Sequence, residues 1–135
     1  MNILLAAFAA SIVWFMVGGA LYMNPFIAKM YKQYEGAPGV KKWRSIPKYL
    51  GYMFSVMFIP NIMWAAVYQL IKPVLPQSNI AAALTFGLIL VAIKIFPRFF
   101  DMWIQSTYPN KLLLVELING TIGSFVVAGV FAYLL

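Results

Sequence analysis

The chain has 135 residues, of which 64% are hydrophobic and 10% are charged, and its formal net charge at pH 7 is +7. A soluble domain is about half apolar and about a quarter charged, so this composition excludes an ordinary soluble globular protein. The sequence contains neither cysteine nor histidine, which excludes disulfides, Ser-His-Asp triads and the usual zinc and haem ligands.

Four apolar stretches predict four transmembrane helices, because a helix needs about 20 residues to cross the hydrocarbon core. The spans cover about residues 2–23, 47–71, 80–104 and 111–135. Pro97 should kink the third span, since proline has no N–H to donate to the preceding turn. We therefore predict an all-α membrane protein, an antiparallel bundle of four transmembrane helices that forms a single membrane domain over residues 1–135.

A short amphipathic helix is predicted between the first two spans, over about residues 25–35. Asn24 is a good N-cap, and Pro25 is favoured at the first helical position. Apolar and aromatic side chains then recur at helical spacing on one face, while Lys29 and Lys32 fall on another. Such a helix is expected to lie in the headgroup region with its lysines toward the water. A gate or a helix that docks a partner is the alternative interpretation.

Basic residues concentrate in the first and third connections. The first connection and its edges contain Lys29, Lys32, Lys41, Lys42, Arg44 and Lys48, and the third is flanked by Lys94, Arg98 and Lys111. Because Lys and Arg are enriched in cytoplasmic loops, both connections are predicted to be cytoplasmic and both termini external. The first connection should also attract anionic lipid headgroups. Topology accounts for these charges without nucleic-acid binding.

The predicted second span has a polar residue near its middle, where Asn61 follows Pro60. Proline frees a backbone carbonyl and bends the helix, and an Asn at this depth needs a hydrogen-bond partner. Asn61 therefore either bonds to a neighbouring helix within a kinked packing helix or lines a small polar cavity.

Charged side chains are predicted to meet where the third and fourth spans join. Lys94, Arg98 and Asp101 are spaced to share a face of the third span, and Glu116 is the only charge within the fourth. A carboxylate near lipid needs a partner, and the short hairpin makes Arg98 the first candidate and Lys94 the second. Glu116 is either a member of a structural ion pair or part of a proton or ion relay.

Small side chains recur every four residues along the fourth span, in line with Glu116. They are Gly120, Ser124, Ala128 and Ala132, with Asn119 and Gly123 on the flanks of the same face. Small residues let helix backbones approach closely in lipid, so this stripe should contact protein. The contacting helix belongs either to the same chain or to a second copy.

Two segments resemble a family of small four-helix bacterial integral membrane proteins of unknown function. The run from Gly18 to Phe26, Gly-Gly-Ala-Leu-Tyr-Met-Asn-Pro-Phe, is similar to that family's Gly-Ala-Leu-Trp-Tyr-Ser-Pro-Leu motif at the end of its first span. Lys111-Leu112 and the later run Leu117-Ile118-Asn119-Gly120 are similar to its Lys-Leu-x-Leu-Ile-Asn-x-Gly segment. The resemblance implies four spans and no particular activity.

The sequence leaves three functional hypotheses. The first is a non-enzymatic helical module that oligomerises or docks on a membrane complex, with no cofactor, metal or catalytic residue. The alternative is a homo-oligomeric transporter or channel for a small solute or an ion, which would use the polar residues Asn61, Lys94, Arg98, Glu116 and Asn119. A membrane enzyme that acts on a lipid ranks last, because only Asp101 and Glu116 could supply its chemistry.

Overall fold

The computed structural model describes residues 2–135, and the regular structure of these residues is entirely helical. The helices are α1 (Ile3–Met23), α2 (Pro25–Gln33), α3 (Ile46–Ile71), α4 (Asn79–Leu90), α5 (Phe96–Gln105) and α6 (Asn110–Leu134). A 3-10 turn, Lys72–Val74, extends α3, and a π-helical segment, Val91–Ile95, joins α4 to α5.

Four helical stretches are long and apolar enough to cross a membrane. They are Ile3–Met23, Ile46–Val74, Asn79–Gln105 and Asn110–Leu134. The prediction of an all-α bundle with four spans is therefore confirmed, and the chain is a multi-pass membrane protein. Met1, which the predicted domain includes, lies outside the described residues.

Local capping explains why α1 and α2 begin where they do. The Asn2 side chain accepts a hydrogen bond from the Leu4 N–H at 2.8 Å, and the Asn24 side chain accepts one from the Phe26 N–H at 2.9 Å. Both bonds satisfy backbone donors that have no partner inside a helix. Pro25 occupies the first helical position of α2, where its missing N–H leaves no bond unmade. The amphipathic helix thus follows directly from the Asn-Pro pair.

The four spans are arranged around a central pair of helices, α1 and α6. Helix α6 packs against α1 on one side and α4 on the other, and α3 packs on α1. One end of the bundle, here called the basic end, carries α2, residues 34–45 and the turn at residues 106–109. Toward the opposite end α3 also reaches α4, since the Tyr68 and Phe86 rings lie edge to face with their centroids 5.0 Å apart. Both rings are buried there beside Phe131.

Small residues let the central helices approach closely. Helix α1 buries Ala6, Ala7, Ala10, Ser11 and Gly18, and α6 buries Gly123, Ser124, Ala128 and Ala132. The Trp14 indole fills the space beside the α6 backbone, where a Cβ atom on Gly123 would lie 2.5 Å from its Cζ2 atom. A Cβ atom on half-buried Gly120 would lie 2.9 Å from Cδ1 of Ile95. The stripe predicted on the fourth span therefore contacts helices of its own chain.

Asn61 links α3 to α1 through a buried hydrogen bond. Its Nδ2 atom donates to Oγ of Ser11 at 2.9 Å, and the Ser11 hydroxyl donates to the Ala7 carbonyl at 2.8 Å. Helix α3 continues through Pro60. Of the two interpretations of Asn61, the structure shows the bond to a neighbouring helix.

The third span changes its winding just before Pro97. The Phe96 N–H donates to the Val91 carbonyl, five residues back, and Pro97 has no N–H to donate. A π-helical turn absorbs this interruption while the helix remains continuous. Beyond it, no residue of α5 is buried by the rest of the described chain.

Candidate polar site at the basic end

Glu116 lies in the second turn of α6 and holds two side chains of the preceding hairpin. Its Oε1 atom accepts a hydrogen bond from the Tyr108 hydroxyl at 2.6 Å. Its Oε2 atom accepts one from Nη2 of Arg98 at 3.3 Å. The Arg98 side chain is 66% exposed, whereas that of Glu116 is 22% exposed. The shorter of the two bonds comes from the Tyr108 phenol, and Tyr108 is less exposed than Arg98.

The turn between α5 and α6 positions Tyr108. Its backbone N–H donates to the Ser106 hydroxyl oxygen at 3.3 Å, and that hydroxyl donates to the Met102 carbonyl at 2.6 Å. The turn is thereby fixed to the last turn of α5, which directs the Tyr108 ring back toward α6. Burial, reinforced by the hydrogen bond to Glu116, raises the pKa of the Tyr108 phenol, so the hydroxyl stays protonated as a donor.

Two further tyrosines extend this polar site to α1 and α2. The rings of Tyr22 and Tyr31 meet edge to face with their centroids 5.7 Å apart. The Tyr31 hydroxyl and the Nδ2 atom of Asn119 on α6 are buried, and neither has a hydrogen-bond partner among residues 2–135. Burial, with the neighbouring Tyr22 and Glu116 adding to it, raises the pKa of Tyr31. The site thus contains one carboxylate held by two donors, with the Tyr31 hydroxyl and the Asn119 amide buried.

Lys94 and Asp101 do not join Glu116. Lys94 lies in the π-helical segment, and no carboxylate of residues 2–135 lies within ion-pair distance of it. Asp101 is exposed on α5 and accepts a hydrogen bond from Nε2 of Gln105 at 2.6 Å. Of the charges predicted to gather here, the structure pairs only Arg98 and Glu116.

The six basic residues of the first connection lie at the same end of the bundle. Lys29, Lys32, Lys41, Lys42, Arg44 and Lys48 are all exposed. The loop that carries three of them packs on the α5–α6 turn, since a Cβ atom on Gly39 would lie 3.2 Å from the Tyr108 nitrogen. Gly39 has a φ of +82°, which favours glycine. Both basic connections are thus parts of one surface.

The residues that complete the site were not identified from the sequence. Because Tyr108 lies near the end of a span, the sequence predicts only that it belongs to the aromatic belt at the membrane surface. Its position eight residues before Glu116, in the short hairpin, is the one signal that could have indicated the contact. Tyr31 and Ser11 reach their sites across helix interfaces, and no spacing in the sequence indicates these contacts.

The arrangement at Glu116 is one carboxylate that accepts hydrogen bonds from a phenol and a guanidinium. Among residues 2–135, no three His, Cys, Asp or Glu side chains come together to hold a metal ion. Pockets of about 380 Å³ and 620 Å³ open at the basic end and the opposite end, and neither is lined by Glu116 or Asn61.

Comparisons with known proteins give no further assignment: no protein-family model matches the chain, and neither a curated protein nor a solved structure shows detectable similarity to it.

Proposed function

We propose that this protein is a non-enzymatic membrane module that works by association, either with further copies of itself or with another membrane protein. One observation carries the proposal: Asn61 and Gly123, a polar and a small residue of the spans, make their contacts inside the chain. Asn61 is bonded to Ser11, and Gly123 packs on Trp14. The outside of the spans is mainly apolar side chain, which suits contact with helices or lipid.

Helix α3 offers the largest such surface. Only 11% of the most apolar 18-residue stretch of its span is buried within the chain, compared with 28% for the span of α1 and 39% for that of α6. Large side chains line its outer face, among them Val56, Ile59, Met63 and Leu70. We propose this face as the surface through which the module associates.

A photo-crosslinking amino acid in place of Ile59 tests this proposal in native membranes. Leu88 on α4 is the matched control, because both residues are 62% exposed and both lie away from the ends of their spans. We expect a protein-to-protein crosslink from position 59 and none from position 88. Crosslinks to lipid alone at both positions would contradict association through α3.

We propose further that the basic end faces the cytoplasm of a bacterial cell and that both termini are external. The exposed lysines and arginines of the first connection support this orientation through the positive-inside rule. Anionic headgroups of the inner leaflet are the proposed lipid partners of this surface. The bacterial assignment draws on the Gly18–Phe26 run, which forms the end of α1 and the start of α2, and membership of the small four-helix family remains part of the proposal.

Single cysteines test the orientation, since the chain has no cysteine of its own. Lys42→Cys should react with a membrane-impermeant thiol reagent only after the cells are opened. Gln77→Cys, in the connection at the opposite end, should react in intact cells. The reverse pattern would overturn the orientation.

A transporter or channel is the second candidate, and Lys94 is the observation in its favour. This side chain lies within the third span on a π-helical segment without a carboxylate partner among residues 2–135. Charged residues inside spans commonly mark ion pathways, and π-helical segments are frequent at functional sites. A solute or ion flux into proteoliposomes that Lys94→Gln abolishes would favour this function over the module.

A further inference from the structure

A groove of about 380 Å³ lies at the basic end, between α2 and the loop after it. Its walls are aromatic, formed by Tyr31, Trp43 and Tyr49. The loop turns at Gly36, whose φ of +80° favours glycine, and returns alongside α2 to close the groove. The groove is thus built by a defined turn and packed rings.

The charges around this groove are predominantly positive. Lys32, Lys41 and Lys42 line it together with a single carboxylate, Glu35. Lys42 and Glu35 pair with each other at 3.1 Å. Lys41 lies 4.6 Å from the centre of the Trp43 ring, and neither it nor Lys32 is paired with a carboxylate of the described residues. Lys32 and Lys41 therefore line an aromatic space, and neither has a carboxylate partner among the described residues.

The groove lies beside the start of the span Ile46–Val74. Ile46 and Tyr49, in the first turn of α3, form part of its wall. Just beyond them, the span presents exposed apolar side chains such as Leu50 and Met53. Tyrosine and tryptophan prefer the headgroup region because their rings are amphipathic. A molecule in the groove would thus have cations beside it and an apolar helix face below it.

We propose that this groove binds the headgroup of one anionic phospholipid, with the phosphate between Lys32 and Lys41 and the acyl chains along the exposed start of α3. Lys32 and Lys41 supply the charge complementarity, and the aromatic side chains form an amphipathic wall beside them. The inference rests on the proposed placement of the basic end at a lipid surface. It differs from diffuse attraction by basic loops because it requires one site with a defined stoichiometry.

Native mass spectrometry of the purified protein tests the site, with phosphatidylglycerol and phosphatidylcholine of identical chains offered in turn. We expect the protein to retain one phosphatidylglycerol in preference to phosphatidylcholine. Lys32→Gln/Lys41→Gln should weaken this binding about tenfold or more, since each basic residue at an anionic surface contributes substantially to attraction. The matched control, Lys29→Gln/Lys48→Gln, removes the same charge outside the groove and should retain the preference.

Further variants separate the charge from the structure of the loop. Lys32→Arg/Lys41→Arg keeps both charges and should keep the preference. Because Lys41 also stacks on Trp43, the single change Lys32→Gln, which breaks no ion pair or hydrogen bond, should show a smaller loss in the same direction.

Three results would overturn the proposal. Equal losses in the groove variant and the control variant would show diffuse attraction. Retention of both lipids alike would show that the groove does not select charge. Displacement of the lipid by an equal concentration of inorganic phosphate would make it a site for free anions. Because binding is measured in detergent, it does not depend on membrane orientation, so a failure of the thiol-labelling test leaves this result standing.

Discussion

Gly123→Ala is expected to destabilise the bundle by about 1–3 kcal/mol, the usual cost of overpacking a well-filled core. The added Cβ atom would lie 2.5–2.7 Å from three atoms of the Trp14 indole. A rigid ring cannot yield as the end of a flexible side chain would, so α1 and α6 would have to separate. Thermal unfolding in detergent, followed by circular dichroism, measures the change.

Gly129→Ala is the matched control, because it makes the same substitution on the same helix and nothing lies within 4 Å of the new Cβ atom. Alanine favours helix over glycine by about 1 kcal/mol, so this variant should be as stable as the native chain or more so. Trp14→Leu should relieve much of the effect of Gly123→Ala by opening the space. Equal unfolding temperatures for the two alanine variants would contradict the packing of Trp14 on Gly123.

Glu116→Gln is expected to lower the free energy of unfolding by about 1.5–3 kcal/mol, the range for hydrogen bonds to charged groups. The amide cannot serve both Tyr108 and Arg98 as the carboxylate does. A fully buried ion pair would lose more, about 3–5 kcal/mol, when one member is removed. We expect the smaller value because the Arg98 side chain is 66% exposed and remains hydrated in the variant.

The two partners of Glu116 should contribute unequally. Tyr108→Phe removes the 2.6 Å bond from a half-buried phenol and should reproduce most of the loss. Arg98→Gln removes a largely exposed pair and should cost less than about 1 kcal/mol. Chemical unfolding of the three single variants in one detergent gives the order. A larger loss from Arg98→Gln than from Tyr108→Phe would show that the ion pair, and not the phenol, holds the carboxylate.

Most of the fold could be predicted because the features that define it are local. Span length is set by the thickness of the hydrocarbon core, and the apolar runs of the sequence report it directly. The start of α2 is equally local, since Asn24 and Pro25 form a cap that needs no other part of the chain. Pro97 indicated an interruption in the third span, but the sequence did not indicate that the helix would absorb it as a π-helical turn.

The candidate site could be predicted only where the chain brings residues together over a short distance. Arg98 and Glu116 meet because one tight hairpin joins their helices. Lys94, the second candidate partner, makes no ion pair with Glu116; it lies in a π-helical turn, whose extra residue rotates the rest of the helix relative to a regular α-helix. Tyr31 lies on a different helix from Glu116. A span that is apolar on nearly every side does not indicate which of its faces contacts a neighbouring helix, so the sequence could not predict that these residues share a site.

The third span is considerably longer than a bilayer requires. Its 27 helical residues extend about 40 Å at 1.5 Å per residue, whereas the hydrocarbon core is about 30 Å thick. A span of this length fits a bilayer by tilting, by bending, or by extending its polar end, which carries Arg98 and Asp101, beyond the hydrocarbon core. A bend costs least where the hydrogen-bond ladder is already interrupted, at Val91–Ile95. Any bend there would change the angle between α4 and α5 and would move Arg98, one of the two side chains that hold Glu116.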